Sequence, residues 1–293
     1  MPAHDAYARL TPFELAFPDR GFVEERFPRI REEGEAEAGG AALRDPGRFL
    51  SLVSVSEALA ELRPPGEASE RIHRHGVLLY HGFHFWAAGR PLYLLDVHGA
   101  RYLVETRGPS GAQGEEPGDG GPAGPRPPVA AGYLQLPRYL FWTRPTEEDT
   151  PEPVDGIFWS APDGERLALL VACGLREDRP GLSAVPLPPV PLADAPEWLE
   201  APVRPGGEEF ESTLPGGELE RLYSFETAGE VLKLVARFFR HVASAPEAVA
   251  EEPPPEGGAG GPRPTGLPWR RVGLGPGEPD PDPAPGDAAG GDR

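Results

Sequence analysis

Histidine is the residue whose spacing points most directly to chemistry in this sequence. Five of the seven histidines fall within 26 residues, at positions 73, 75, 81, 84 and 98. On a helix, His81 and His84 lie one turn apart, so both rings could bind one metal ion or move protons near neutral pH. A third metal ligand would come from the following segment, where the candidates are Asp96, His98 and Glu105. The alternative, which we favour, is that these histidines cap or pack an aromatic-rich helix.

Other catalytic motifs are missing from the sequence. The only cysteine, Cys173, ends an apolar run that is typical of a buried strand, where a thiol is inert. The only lysine, Lys233, follows no glycine-rich loop, which argues against phosphate-loop chemistry. We therefore expect no cofactor, with a divalent metal at the histidines as the alternative, and lean towards a protein that is not an enzyme.

The charge balance excludes two classes of partner. The 293 residues contain 47 acidic and 28 basic side chains, for a net charge of −19, and no stretch is strongly basic. Nucleic acids and anionic membrane surfaces are bound through clustered basic side chains. The apolar runs are too short to span a bilayer, and the first residues do not form a signal peptide. We therefore predict a cytoplasmic protein that binds neither nucleic acid nor membrane.

Three Phe-Trp pairs stand out, which is more than chance predicts for 13 Phe and 5 Trp. They are Phe85-Trp86, Phe141-Trp142 and Phe158-Trp159. Neighbouring residues of a strand point to opposite faces, so such a pair indicates either a sheet covered on both faces or one exposed aromatic face. We favour the covered sheet.

The exposed alternative would make Trp142 and Trp159 the walls of a ligand or partner surface. Arg176 and Arg179, in a charged turn between two predicted strands, could clamp an anionic ligand on that surface. A local salt-bridged turn is the simpler interpretation of the two arginines.

A short apolar and basic segment interrupts the acidic C-terminal region. Its candidate docking residues are Leu267, Trp269, Arg270 and Arg271. Such a segment is typical of a motif that docks on another protein, although it could equally pack on its own chain.

Composition divides the chain into three parts. Residues 1–44 form an N-terminal arm and acidic connector, whose phenylalanines we expect to pack, and residues 244–293 form a disordered tail. Residues 45–243 form a single α+β domain, interrupted by a loop at 107–128 in which 13 of 22 residues are Gly or Pro.

The domain itself is predicted to be a β-meander with flanking helices. Helices are expected over 68–88 and from a capping box at Thr227 and Glu230. The strand candidates are 91–96, 101–105, 133–143, 156–161, 166–174 and 182–187. The first two read as a hairpin, so the fold class is α+β with an antiparallel meander of five or six strands.

These observations predict a non-catalytic interaction or scaffold module whose partner is another protein. The interaction would use the aromatic sheet face, the N-terminal arm or the tail motif. The alternative is a metal- or histidine-dependent enzyme, or a small-ligand-binding protein, centred on the region of His81 and His84.

Overall fold

The structure of the chain is a computed structural model. It describes residues 11–17, 19–37, 39–62, 69–105, 125–137, 140–143, 152–173, 183–191, 203, 216–253 and 268–274. Within these ranges the side chains of residues 69–74, 105, 183–190 and 216–228 are not described. Residues 107–124 of the predicted Gly- and Pro-rich loop lie outside the described residues.

Helices and strands alternate irregularly along the described chain. The helices are α1 (Pro12–Ala16), α2 (Arg20–Ala36), α3 (Ala41–Arg44), α4 (Pro46–Phe49), α5 (Val53–Leu62), α6 (Ser69–Ala87), α7 (Val97–Glu105) and α8 (Gly216–Ser244). The strands are β1 (Leu92–Leu95), β2 (Ala131–Gln135), β3 (Trp142–Thr143), β4 (Glu152–Ser160), β5 (Arg166–Cys173), β6 (Ser183–Pro191), β7 (Val249–Glu252) and β8 (Trp269–Val272).

The strands form one mixed sheet in the order β6-β5-β4-β2-β1-β8-β7, with the short β3 paired to β4. Strand β1 runs parallel to both of its neighbours, β2 and β8, whereas the other pairs are antiparallel. The predicted antiparallel meander is therefore wrong, although the fold does combine helices with a sheet.

The prediction of an antiparallel meander fails at the hairpin expected from strands 91–96 and 101–105. The segment 101–105, expected to be its second strand, belongs to helix α7, and this helix carries the chain across to the parallel strand β2. Asp96 starts that helix, because its Oδ1 accepts a hydrogen bond of 2.7 Å from the backbone N–H of Gly99. Residues 97–100, between the two predicted strands, are thus the first turn of a helix. A parallel pair of strands needs a crossover connection of this kind.

The sheet is covered by helices on both faces. Phe158 belongs to one core together with side chains of α1, α2 and α4–α6, and we call this side the first face. Trp159 belongs to a separate core on the second face, where it packs against Phe238 and Phe239 of α8. The Phe158-Trp159 pair therefore confirms the two-sided interpretation.

Helix α6 is the central element of the first face. Its predicted span is confirmed, and every residue from 78 to 85 is buried, because the helix lies between the sheet and helices α2, α4 and α5. The glycines that weaken this helix on its own permit close packing instead. A Cβ on Gly82 would lie 2.5 Å from the ring of Phe17, and one on Gly76 would lie 2.6 Å from the side chain of Leu50.

The N-terminal arm packs into the same core, as expected. Phe13, Phe17, Phe22 and Phe27 are all buried, and their rings contact one another. Helix α2 also continues through Pro28. Pro28 lies on the exposed side of α2, and the buried residues on the other side hold the helix together despite the missing N–H group.

Helix α8 begins earlier than its capping box predicts. It starts at Gly216, so Thr227 lies within the helix and not at its first turn. Glu230 forms an ion pair of 2.7 Å with Lys233. Arg237 is buried and donates a hydrogen bond of 2.8 Å to the carbonyl oxygen of Leu103 in α7.

Two segments of the predicted tail belong to the sheet. Strand β8 lies between β1 and β7, and its Val272 is fully buried. The guanidinium of Arg270 lies over the ring of Tyr93, and Arg271 forms an ion pair with Glu252. Disorder is therefore wrong for β7 and β8, and residues 269–271 of the proposed docking motif pack on their own chain. Leu267 lies outside the described residues.

We expect the Glu33→Gln substitution to destabilise the protein by about 1 kcal/mol, the usual loss for a helix N-cap. The carboxylate of Glu33 on α2 accepts hydrogen bonds of 2.9 and 2.8 Å from the N–H groups of Val53 and Ser54, which begin α5. Burial opposes the charge of Glu33, but the bonds from Ser54 and Val53 outweigh burial and lower its pKa.

A carboxylate with a lowered pKa stabilises the fold above its unfolded value of 4.5, and that stabilisation disappears as the pH falls through the folded value. Urea unfolding at pH 7 measures the stability lost in Glu33→Gln, and urea unfolding at pH 4 measures how far that difference from the wild type disappears in acid. The exposed Glu32→Gln is the matched control, and an equal loss in both variants at pH 7 would contradict the capping role.

Candidate functional site

Helix α6 and strand β4 bring His81 against Ser160. The Nδ1 atom of His81 lies 3.0 Å from the Oγ atom of Ser160. Ser160 follows Phe158 by two residues on β4, so its side chain also points to the first face, beneath α6. His81 is 2% exposed and Ser160 is fully buried. The contact ties the central helix to the centre of the sheet.

His84 lies one turn further along α6, in an aromatic environment. Its ring centroid is 4.5 Å from that of Tyr80, 5.3 Å from Phe83 and 6.4 Å from Phe49. The ring hydrogen-bonds the backbone of Leu43. Its Nε2 atom is enclosed and has no hydrogen-bond partner in the part of the chain that the structure describes.

Burial keeps both histidines neutral at pH 7. It lowers the pKa of His81 to about 3, with a smaller contribution from the neighbouring His84. It lowers the pKa of His84 to about 4, and the hydrogen bond to Leu43 offsets part of that effect. Burial, helped by the negative charge of Asp163, also raises the pKa of Tyr80 above its usual range. Neutral rings suit a packed core or a metal site equally well.

Two of the predicted third ligands for a metal, Asp96 and His98, do not join the two histidines. Asp96 caps α7, His98 is exposed at the start of that helix, and the side chain of Glu105 is not described. Across the described ranges, no three His, Cys, Asp or Glu side chains are placed to hold a metal ion. The metal site therefore stays a hypothesis that rests on His81 and His84 alone.

The two tryptophans predicted as aromatic walls, Trp142 and Trp159, differ in their burial. Trp159 is a core residue, and its Nε1 donates a hydrogen bond of 3.0 Å to the carbonyl oxygen of Val129. Trp142, on the short strand β3, is half-buried. Arg176 and Arg179 lie outside the described residues, so the predicted anion clamp is not placed.

A second set of polar side chains lies on the first face, where sequence analysis predicted nothing. It comprises Tyr133 and Gln135 on β2, Asp155 on β4, and Trp269 and Arg271 on β8, and we call it the polar row. Strands β1, β2 and β8 are parallel, and the row extends from Gln135 at the carboxyl end of β2 to Trp269, the first residue of β8.

Strand register brings these residues side by side. Leu94 of β1 pairs with Gln135 on one side and with Arg271 on the other. Two residues earlier on the outer strands, Tyr133 and Trp269 point to the same face, since side chains of a strand alternate.

Asp155 completes the row from the antiparallel side. The hydroxyl of Tyr133 donates a hydrogen bond to its Oδ2 atom, and both residues are buried. A shift in register between Val154 and Gly156 occurs at this point of β4. The irregularity places the carboxylate of Asp155 beside β2, on the same face as Gln135.

The polar row contains two enclosed hydrogen-bond donors. The Nε2 atom of Gln135 and the Nε1 atom of Trp269 are enclosed and lack a hydrogen-bond partner among the described residues. Gln135 is 1% exposed and Trp269 is 8% exposed. An unsatisfied buried donor costs about 1–3 kcal/mol, so each such group calls for a physical explanation.

The sequence carries a weak local signal for one half of the row and none for the other. Tyr133 and Gln135 are polar side chains spaced by two in an otherwise apolar strand, which is a detectable pattern. The neighbours on β8 come from a segment far along the chain that composition assigned to the tail. No local pattern predicts that pairing.

Comparisons with protein-family models, curated proteins and solved structures find no match to this chain. Within the described residues, no helix has both the length and the apolar character needed to cross a membrane.

We expect the buried histidines to make the fold sensitive to acid. Their folded pKa values lie below 6.5, so the unfolded chain binds more protons, and stability is complete above pH 6.5 and falls towards pH 4. Each histidine adds a slope of about 1.4 kcal/mol per pH unit in that range. A phenylalanine at this position suits the surrounding rings, so the His84→Phe variant should lose the part of the slope that His84 contributes.

Urea unfolding at half-unit steps from pH 7.5 to 4.5 measures this slope. The exposed His98→Gln is the matched control and should keep the slope of the wild-type protein. An unchanged slope in His84→Phe would show that His84 is not a buried neutral ring.

Proposed function

We propose that the protein is a non-catalytic binding protein that holds a small molecule at the polar row. The observation that carries this proposal is the pair of enclosed donors, Gln135 Nε2 and Trp269 Nε1, on one face of the sheet, for which the described residues provide no acceptor. A bound molecule with acceptor atoms would satisfy both donors and would recover the free energy lost by burying them.

The surroundings of the polar row suit a small molecule. Small-ligand sites are mostly apolar, with a few polar groups that fix orientation. Here Leu92 and Leu94 of β1, which are apolar and 2% exposed, lie between the outer strands. The side chain of Arg271 is 39% exposed, so the row extends from the buried Gln135 to the surface at β8.

The His81 and Ser160 pair is less suited to catalysis. A serine nucleophile must approach its substrate to about 3 Å. The hydroxyl of Ser160 instead lies 3.0 Å from the ring of His81, between α6 and β4, so it has a partner inside the protein, which the two donors of the polar row lack among the described residues. We therefore assign the pair a structural role, and Ser160→Ala should leave ligand binding unchanged.

Native mass spectrometry of the full chain, as purified from cells, tests the proposal. We expect the wild-type protein to carry a small-molecule adduct, because the unpaired donors favour an acceptor-bearing ligand. Trp269→Phe, which removes the N–H group but keeps an aromatic ring, should lose most of the adduct, and Ser160→Ala should retain it. A bare mass for the wild type, or an adduct unaffected by Trp269→Phe, would contradict binding at the polar row.

A second candidate is a protein-interaction module in the cytoplasm. The net charge of −19 would steer a basic partner, and a sequence whose only cysteine, Cys173, is buried suits a reducing compartment. One exposed apolar contact is available at the junction of α2 and α5, where Val53 is 65% exposed and Glu33 fixes its backbone.

Quantitative cross-linking in cells tests this second candidate. A partner that binds at the junction should cross-link to α5. The cross-link yield should fall at least tenfold in Val53→Asn and should decrease at high salt. Val97→Asn, at another exposed valine, is the matched control. Equal cross-linking by both variants would contradict an interaction at this junction.

A further inference from the structure

We infer that the outer edge of β7 binds an extended, basic segment of another protein as an additional antiparallel strand of the sheet. This inference goes beyond the proposed function and does not depend on the polar row. Strand β7 ends the sheet order, and β8 is its only neighbour among the described residues. The juxtaposition that carries the inference is the outward backbone of Val249 and Glu251 beside the exposed carboxylate of Glu251.

The hydrogen bonds to β8 determine which backbone groups of β7 face outward. The N–H of Gly273 donates a hydrogen bond of 3.1 Å to the carbonyl oxygen of Ala248, and these two residues continue the register of the two strands. Hydrogen-bonded pairs alternate along an antiparallel ladder, so Val249 and Glu251 point their backbone groups away from β8. The N–H of Val249 donates to the carbonyl oxygen of Pro246. The outer edge therefore presents the carbonyl oxygen of Val249 and both backbone groups of Glu251.

The two edges of the sheet differ in their capacity to pair with another strand. Strand β6, at the opposite edge, contains four prolines in nine residues. Proline has no N–H group, and its presence on an edge strand prevents further pairing. Strand β7 contains no proline, so its outward groups can form main-chain hydrogen bonds. Peptides that add a strand to an exposed sheet edge gain their affinity from such bonds.

Charge selects the strand that can pair with this edge. The carboxylate of Glu251 is exposed and makes no ion pair with the described residues. Its cross-strand neighbour Arg270 is directed the other way, over the ring of Tyr93 on β1. Arg271 pairs with Glu252 on the opposite face of the sheet. Glu251 therefore repels an acidic strand and favours a basic residue directly opposite.

The antiparallel register gives the order of residues in the partner segment. A residue opposite Glu251 exchanges two backbone hydrogen bonds with it, and the residue two positions later donates to the carbonyl oxygen of Val249. Both partner side chains point to the second face, because side chains alternate along a strand. Val249 is partly buried against the core of that face, so an apolar neighbour suits it. The segment therefore has a basic residue followed two positions later by an apolar one.

Titration of the full chain with short capped peptides, followed by NMR, tests the inference. The probe peptide consists of threonines, which favour strands, and carries one arginine and, two residues later, one valine. We expect it to shift the backbone amide signal of Glu251 in a saturable manner and to slow the hydrogen exchange of that amide. The same peptide with glutamate in place of arginine should bind at least tenfold more weakly.

A second control peptide separates strand pairing from simple charge attraction. It keeps every side chain of the probe but carries a methyl group on the backbone nitrogen of the arginine, which removes the N–H that donates to Glu251. This peptide should bind at least tenfold more weakly than the probe. Equal binding by the methylated peptide, or saturable binding that leaves the signals of β7 unchanged, would overturn the inference.

A charge reversal on the protein assigns the contact to β7. Glu251→Lys should bind the glutamate peptide more tightly than the arginine peptide. Glu24→Lys, an equal change of charge at an exposed position of α2, should keep the preference of the wild type. Both variants should unfold like the wild type, because both side chains are exposed.

Two further results would contradict binding of a basic segment at this edge. The first is an unchanged peptide preference in Glu251→Lys. The second is an amide signal of Glu251 that shifts with protein concentration in the absence of peptide, which would show that a second copy of the chain occupies the edge.

Discussion

The structure depends on a sheet that is buried on both faces. Strand β4 shows this most clearly, because Phe158 packs into the core of the first face and its neighbour Trp159 into the core of the second. Adjacent large side chains are stable in a strand only when both faces are covered, and each fully buried side chain contributes about 1.5–3 kcal/mol. The helical layers on either side, including the N-terminal arm, supply that cover.

A sheet covered on both faces leaves its polar side chains without water. Most of those on the described strands and helices have internal partners, such as His81 with Ser160, and Tyr133 with Asp155. Gln135, Trp269 and His84 each carry an enclosed nitrogen that lacks a hydrogen-bond partner among the described residues. Those of Gln135 and Trp269 lie on one face of the sheet, on the two strands that flank β1. Our account of function follows from this contrast between satisfied and unsatisfied groups.

Local patterns predicted the parts of the fold that are held by local contacts. The aromatic spacing of α6 and the Phe158-Trp159 pair gave a central helix and a two-sided sheet, and the phenylalanines of the arm indicated packing. The pattern around Asp96 was ambiguous, because a short polar break before an apolar segment suits a hairpin turn and a helix cap alike. That one choice decides between an antiparallel meander and the mixed sheet.

The candidate site was harder to predict because its halves are far apart in sequence. The histidines were found from their spacing, but burial and the contact with Ser160 are tertiary features that spacing does not encode. The polar row needs β8 to pair with β1, and β8 belongs to a Gly- and Pro-rich region whose composition alone indicates disorder. Four residues with one fully buried side chain, Val272, suffice to place that strand.

A high-resolution crystal structure of the wild-type chain, purified from cells without refolding, tests the central claim most directly. The account predicts electron density for a small molecule with acceptor atoms within about 3.2 Å of Gln135 Nε2 and Trp269 Nε1, the range of a hydrogen bond. A structure in which both donors are hydrogen-bonded to atoms of the protein itself would contradict it.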